Sequence, residues 1–434
     1  MDKMADVLGR VGAWCGQNKY LSAIKNAFQN FMPLTIAGAI GVLWCNVLVN
    51  DQTGLGLFFK PIMALDFLNP AFQAVNFCTI SCITVGITLG IAQEIGVWNM
   101  GAEKAGYIPG LVGLAAWLSV TNTSHMVEGA KEAFTGIAGN ELGATGLFTG
   151  MIIGILSVEL FCFFEKQDAL KIKMPEQVPP GVARAFEVLV PATITLIITA
   201  CIGSACYNLT GLYLNDVIKN GIQGPLGAVG ATIPGVMIIY LVIMLFWLVG
   251  IHGNNMLSAV KEALFTPLAL ENVEAFNKGE TPKNIINMYA LQMWGEFGGS
   301  GVTIGLVIAI MIFGKREDNK AIATLSLVPG LFNINETVTF GIPMVLNPIL
   351  GIPFVVAPLV TIIIGYVLTV IGFCPVACLT VPWTTPPIVF GFLACGANVM
   401  GAVTQAILIV VSTVIYTPFL ISYEKYQNKQ AAEA

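Results

Sequence analysis

Charge is what this sequence has least of. Only 10% of its 434 residues are Asp, Glu, Lys or Arg, against 56% hydrophobic residues and a mean hydropathy of +0.79. A soluble domain carries about a quarter charged residues, so that class is excluded and a membrane protein is indicated. The net charge of −5 is small and no long basic block exists, so no nucleic-acid partner is expected. Histidine is also scarce, with two in the chain beside ten cysteines. Cys78/Cys82 and Cys374/Cys378 have the i, i+4 spacing of one helix face. A metal site would also want histidine, so the cysteines read as buried thiols packing like small apolar groups. No Gly-Lys-Ser/Thr phosphate loop is present, which removes the main sign of an ATPase. Gly298-Gly-Ser-Gly301 is weak as a nucleotide motif and lies between apolar segments. No cofactor is expected. Residues 1–30 hold Lys3, Arg10, Lys19 and Lys25 but no apolar core suited to a cleavable signal. A basic start ahead of a first span argues for a cytoplasmic N-terminus.

What the chain has in abundance is continuous apolar runs. A helix spans a bilayer with about 20 such residues, which leaves room for about ten spans. Continuous rather than alternating hydrophobicity favours helices over a barrel. Spans are expected at 31–49, 76–97, 105–120, 143–164, 188–212, 233–251, 302–313, 355–373 and 397–420. Pro33 falls near the start of the first, where a missing N–H does little harm. The weaker pieces 55–72 and 215–230 read as interfacial helices. Residues 121–143 form a polar external loop with His125, Glu128, Lys131, Glu132 and Glu141. The densest basic loop, 165–187, holds Lys166, Lys171, Lys173 and Arg184, which assigns it to the cytoplasm. Its Met174-Pro-Glu-Gln-Val-Pro-Pro-Gly181 piece cannot be helical throughout and is the best domain boundary. The chain divides into an N-terminal half, 1–212, and a C-terminal half, 213–434. By parity the tail at 424–429 is cytoplasmic as well.

Two segments break the pattern. In 256–300, short apolar pieces surround a polar tip at 271–283 and close in Trp294-Gly-Glu-Phe-Gly-Gly-Ser-Gly301. In 321–350, an apolar half meets the polar break 333–339. Both read as re-entrant hairpins, which point to a site at the bilayer midplane. The expected fold is therefore an all-α polytopic membrane protein of about ten transmembrane helices, with two re-entrant hairpins and interfacial amphipathic helices.

The second break contains Asn333-Ile-Asn-Glu336. A charge at the middle of a membrane helix costs roughly 3 kcal/mol, which makes it a functional candidate. Glu336, Asn333, Asn335, His252 and Asn254 offer carboxylate, amide and imidazole groups to a hydroxyl-rich solute such as a sugar. Trp247, Trp294 and Trp383 offer flat faces to a sugar ring. Each has a plainer reading. Glu336 could cap broken-helix N–H groups, His252 could be a helix-end cap, and the tryptophans could sit in an interfacial belt. The belt suits Trp14, Trp44 and Trp98 better than Trp383. Glu159, inside the fourth span, reads more readily as a structural bond to a neighbouring helix or lipid headgroup than as a functional group.

Several stretches together carry a resemblance. They are Asn18-Lys-Tyr-Leu-Ser-Ala-Ile24, Gly146-Leu-Phe-Thr-Gly150, Ser157-Val-Glu-Leu-Phe161, Met174-Pro with Val178-Pro-Pro180, Ala185-Phe-Glu-Val-Leu-Val-Pro191, Gly250-Ile-His-Gly253, Gly298-Gly-Ser-Gly301, Asn333-Ile-Asn-Glu336, Phe340-Gly-Ile-Pro343, Leu346-Asn-Pro348 and Pro382-Trp-Thr-Thr-Pro386. In this order they resemble the membrane IIC component of the bacterial sugar phosphotransferase system, lactose/cellobiose/diacetylchitobiose family. The resemblance implies ten spans, two re-entrant hairpins, a homodimer joined through the N-terminal half and a sugar site in the C-terminal half. It implies that Glu336 and His252 meet the sugar at the hydroxyl to be phosphorylated, and that Trp247 and Trp383 pack on it, with Thr384 alongside. The phosphoryl donor would be a phosphocysteine on a separate IIB protein, itself charged by IIA, since no IIB-like domain is read after Leu420. Membrane lipid is the remaining partner. Thr337 stands where that family more often has proline, and Glu296 where an apolar or amide residue is expected. The implied function is inner-membrane uptake of a β-linked disaccharide, cellobiose-like or diacetylchitobiose-like. The alternatives are a secondary carrier coupled to H⁺ or Na⁺ through Glu336, and a non-transporting sugar receptor.

Overall fold

The structure, a computed structural model, describes residues 10, 14, 17–51, 55–125, 134–175, 177–225, 230–342, 344–345 and 347–433. Lys3, Cys15, Glu128, Lys131 and Glu132, part of the 215–230 segment, and Pro343 and Leu346 of the second hairpin lie outside the described residues. The described chain is mostly helical. Its one strand pair sets Ser124–His125 antiparallel to Phe134–Thr135. The main helices in the first part of the chain are α1 (Lys19–Leu43), α2 (Ile83–Met100), α3 (Ile108–Val120), α4 (Ala144–Glu165) and α5 (Pro180–Thr210). There follow α6 (Ile233–Leu248), α7 (Gly253–Asn277), α8 (Met288–Gly295), α9 (Ile304–Phe313) and α10 (Glu317–Leu331). The chain closes with α11 (Glu336–Gly341), α12 (Gly351–Val370), α13 (Val389–Ala394) and α14 (Val399–Glu433).

Amides start many of these helices. Asn18 Oδ1 accepts the N–H groups of Tyr20 and Leu21 at 3.1 Å. Asn287 Oδ1 does the same for Tyr289 and Ala290 ahead of α8, at 3.0 and 3.1 Å. Such caps satisfy N–H groups that a first helical turn leaves orphaned. Six helical stretches among the described residues are long and apolar enough to cross a bilayer: Lys19–Leu48, Lys60–Met100, α4, α5, α12 and α14. The pair Met288–Val302 and Ile304–Phe313, bent by 60°, would make a seventh, while α3 and α6 are apolar but shorter. The protein is thus an all-α, multi-spanning membrane protein.

Several boundaries differ from the sequence expectation. Because Asn18 caps α1, the helix begins well before residue 31 and Pro33 lies in its interior. Membrane helices tolerate this where neighbours re-satisfy the freed carbonyl. The fifth span starts at Pro180, since proline suits a first helical turn. Residues expected as short pieces of a hairpin form the continuous 25-residue α7. Polar side chains of its membrane-depth part are paired inside the protein, Lys261 with Glu296 and Thr266 with Glu262, while Glu274 pairs with Lys278 on the surface. The second break is shorter than expected, because the chain turns helical again at Glu336. The helix of the last span, expected to 420, runs on through 424–429 as part of α14. Cys162, Cys374, Cys378 and Cys395 are buried, whereas Cys78 and Cys201 lie on the surface.

The described chain forms two compact units. One comprises Gln17–Gly38 and Val75–Ala228; the other comprises Ala39–Ala74 and Val229–Ala434 with the described residues among 1–16. Packing thus groups 39–74 with the later residues, where the sequence reading divided the chain in order at 212/213.

The first unit is built on close approach of small residues, as membrane helices without a strong hydrophobic drive require. A Cβ added at Gly113 would lie 2.3 Å from Ala92 Cβ, and one at Gly96 would lie 2.2 Å from Pro109 Cβ. Ala116, Trp117, Val120 and Ile153 form a buried cluster. Several charges inside the unit are paired. Glu159 meets Lys19 at 2.6 Å, and buried Glu165 meets Lys104 at 2.8 Å and Arg184 at 3.0 Å. Glu159 therefore makes a structural bond to another helix. Gly113→Ala is expected to cost about 1–3 kcal/mol through overpacking, read as a lowered thermal unfolding midpoint. Gly139→Ala, with no atom within 4 Å of the added methyl, serves as the control; equal midpoints would contradict this packing.

In the second unit, polar side chains fasten irregular backbone to helices. Asn272 and Asn287 both donate to Ala377 O, at 3.0 and 3.1 Å. Tyr289 Oη bonds Thr380 Oγ1 at 2.7 Å. Ser412 and Tyr416 of α14 donate to Val302 O and Gly301 O, each at 2.8 Å. Near the end of α14, Glu424 accepts the Lys315 N–H at 2.8 Å and Asn319 Nδ2 at 3.1 Å. The Arg316 guanidinium, hydrogen-bonded to Asp318, holds that carboxyl below the ordinary aspartate range.

Candidate functional site

Glycine backbone makes the site possible. Gly298, Gly299 and Gly301 have φ of 69°, 87° and 78°, a region that side chains with a Cβ avoid. A Cβ at Gly299 would lie 2.7 Å from Asn335, and one at Gly301 would lie 2.4 Å from the Phe354 ring. The break after α8 therefore packs directly against the break before α11. Asn333 joins the two. Its Oδ1 accepts the Gly298 N–H at 2.6 Å, and its Nδ2 donates to Thr385 O at 3.1 Å and to Trp383 O. One amide thus pins three segments, from a backbone φ of 62° that asparagine tolerates better than most residues. Asn335 is buried and donates to Ser300 O at 2.7 Å. Ser300 Oγ in turn donates to Asn254 Oδ1 at 3.1 Å.

These segments enclose a cleft of about 220 Å³. That is many times the ~10–15 Å³ that a single water needs on the same measure, so it suits a ring-sized ligand rather than an ion. Its walls include His252, Asn254, Asn333, Asn335, Glu336 and Trp383. Trp247 and Thr384 are not in that wall. Trp247 is 2% exposed, and its ring lies 4.4 Å from the His252 ring between centroids, so it buttresses the imidazole. Trp294 is buried too, with Gly365 against its indole. Trp383, 43% exposed, is the tryptophan among the lining residues. Thr384 is half-buried beside it.

His252 caps α7, with Nδ1 accepting the Asn255 N–H at 3.2 Å. In the neutral ring the proton then belongs on Nε2. That nitrogen faces Glu336 Oε1 across 3.8 Å. The gap is too long for a hydrogen bond, yet an oxygen about 2.8 Å from each atom fits between them. The arrangement can hold one hydroxyl that donates to the carboxylate and accepts from the imidazole. Both expected partners come to this place from separate breaks.

Sequence reasoning missed part of the wall. Lys261 and Glu296 form an ion pair there, and Gln292 and Gln405 line it as well. Gln405 makes three bonds. Its Oε1 accepts from Ile388 and Gly391 N–H at 2.8 and 2.7 Å, and its Nε2 donates to Met293 O at 3.2 Å. It holds Ile388 at a φ of 74°, which a β-branched residue rarely adopts. The signal that could have found Lys261 is the one that found Glu336, a charge amid apolar residues. It was obscured by the other polar residues of α7.

The family model described as phosphotransferase system, EIIC, matches residues 25–358. The chain belongs to that family. The oligo-beta-mannoside-specific EIIC component of Bacillus subtilis is 33% identical, over 98% of this chain and 94% of that one. The cellobiose-specific EIIC component of Lactococcus lactis is 30% identical, over 98% of each. Among solved structures, the transporter ChbC, the IIC component from the N,N'-diacetylchitobiose-specific phosphotransferase system, matches with a TM-score of 0.88 at 30% identity, covering 98% of both chains. In this EIIC chain the glycine break, the Asn333 staple and the His252–Glu336 pair therefore sit in a fold shared with a known transporter.

Proposed function

We propose that this EIIC protein carries a β-linked disaccharide, of the cellobiose or diacetylchitobiose type, across the bacterial inner membrane and holds it for phosphorylation by a separate phospho-IIB protein. The observation that carries the reading is the His252–Glu336 pair, 3.8 Å apart in the cleft wall. A sugar hydroxyl between them donates to Glu336, which draws its proton away as phosphoryl transfer begins, while His252 Nε2–H fixes the oxygen. Trp383 supplies the face for the ring, and Asn254, Asn333 and Asn335 shape the wall. The relatives' names support the sugar class. That of Streptococcus mutans, a lactose-specific EIICB component, matches over 96% of this chain but 71% of its own length. Its name joins a B part to the C part, which supports a IIB donor acting on this cleft. IIB is recharged by IIA. The protein acts as a homodimer, with both termini in the cytoplasm.

Uptake by membrane vesicles tests this. Labelled disaccharide is expected inside as sugar phosphate, only when phosphoenolpyruvate and the soluble partners are supplied. Accumulation of free sugar that an uncoupler dissipates would replace this reading with a secondary carrier coupled through Glu336. Altered signalling with unchanged uptake in a deletion strain would replace it with a receptor.

A further inference from the structure

The cleft carries a second charged pair that the proposed phosphorylation does not use. Lys261 of α7 and Glu296, in the break after α8, pair in the wall with side chains 7% and 16% exposed. Taking two charges out of water costs several kcal/mol per ion, and apolar replacements of similar volume are often at least as stable. Folding alone therefore accounts poorly for this pair. Tyr240 Oη donates to Glu296 Oε1 at 2.7 Å, and Lys261 Nζ meets the same oxygen. Both donors fall on one oxygen. Among the described residues nothing is bonded to Glu296 Oε2. Gln292, one helical turn earlier, lines the same wall, and its Oε1 is buried with no hydrogen-bond partner among the described residues.

We infer that Lys261, Glu296 and Gln292 form the subsite for the sugar ring that is not phosphorylated, and that it selects a ring with free hydroxyls over an N-acetylated one. The inference rests on the disaccharide reading above. Neighbouring hydroxyls each donate one hydrogen and accept another. Glu296 Oε2 and Gln292 Oε1 take the donated hydrogens, and the Lys261 ammonium supplies one in return. An acetamido group keeps a donor, its N–H, but its nitrogen accepts nothing from the Lys261 ammonium, and it sets a methyl against a desolvated ion pair. A buried donor then loses its partner, the situation by which hydroxyl-binding sites reject analogues.

Titration calorimetry on the purified full-length protein tests the assignment, with cellobiose and N,N'-diacetylchitobiose as probes. The wild type is expected to favour cellobiose by about tenfold or more. The double variant Lys261→Met with Glu296→Leu, which removes both charges together, is expected to bring the two affinities to near equality. Its thermal midpoint reports folding. Should it fail to fold, Gln292→Met decides, since that side chain makes no hydrogen bond among the described residues, and it too is expected to narrow the ratio. A wild-type preference for the diacetylated sugar overturns the subsite, as does an unchanged ratio in the folded variant. A wild type that binds neither disaccharide overturns the proposed function instead.

Discussion

Glu336→Gln is expected to weaken disaccharide binding by roughly ten- to a hundredfold without moving the unfolding midpoint. The carboxylate is 47% exposed and meets His252 only across 3.8 Å, so the fold does not depend on its charge. A ligand hydroxyl does. Hydrogen bonds to charged groups contribute about 1.5–3 kcal/mol, and the amide replaces one such bond by a neutral one. Sugar-phosphate formation should fall further, by about 10²–10⁴, because a glutamine cannot accept the hydroxyl proton. Calorimetry and a phosphoenolpyruvate-driven phosphorylation assay separate the two effects. Normal binding by a folded Glu336→Gln protein would remove Glu336 from the site. Equal losses in binding and phosphorylation would leave it a binding group but not a base.

How much of this was legible before the structure depends on the range of each interaction. Spans were readable because apolar runs act locally, whereas the starts that Asn18 and Asn287 set by capping lie outside those runs and went unread. Glu336 was readable because the cost of a lone charge in an apolar chain needs no partner to evaluate. Lys261 and Glu296 were not readable as a pair. They are 35 residues apart, and only the course of α7 and α8 brings them together. The tryptophans show the same limit. Trp247 and Trp383 sit in equally suggestive motifs, yet one buttresses an imidazole and the other lines the cleft. Sequence spacing carries no information about which side of a break an indole occupies. The division of the chain was obscured similarly, since 39–74 groups with residues from 229 onward.

Asn333 shows a candidate ligand contact acting first on the backbone, and its variants should follow an order that a simple contact would not produce. Asn333→Ala orphans the Gly298 N–H and the Trp383 and Thr385 carbonyls. Each buried unsatisfied group costs about 1–3 kcal/mol. Water entering the cleft offsets part of this, so a loss of about 3 kcal/mol is expected, seen as a midpoint lowered by several degrees. Alanine must also hold the φ of 62°, at about 1–2 kcal/mol. Asn333→Gly loses the same bonds without that strain, and should retain more stability than alanine. Asn333→Asp keeps the acceptor for Gly298 but turns a carboxylate oxygen toward two carbonyl oxygens. It should be the least stable of the three although it is the closest in shape. In all three, disaccharide binding should fall, because the Trp383 backbone and the Gly298–Gly299 turn lose their common anchor. A residue that only touched the sugar would lower affinity and leave the midpoint alone. Calorimetry and thermal unfolding on the same samples distinguish these cases, and equal midpoints across the series would reduce Asn333 to a ligand contact.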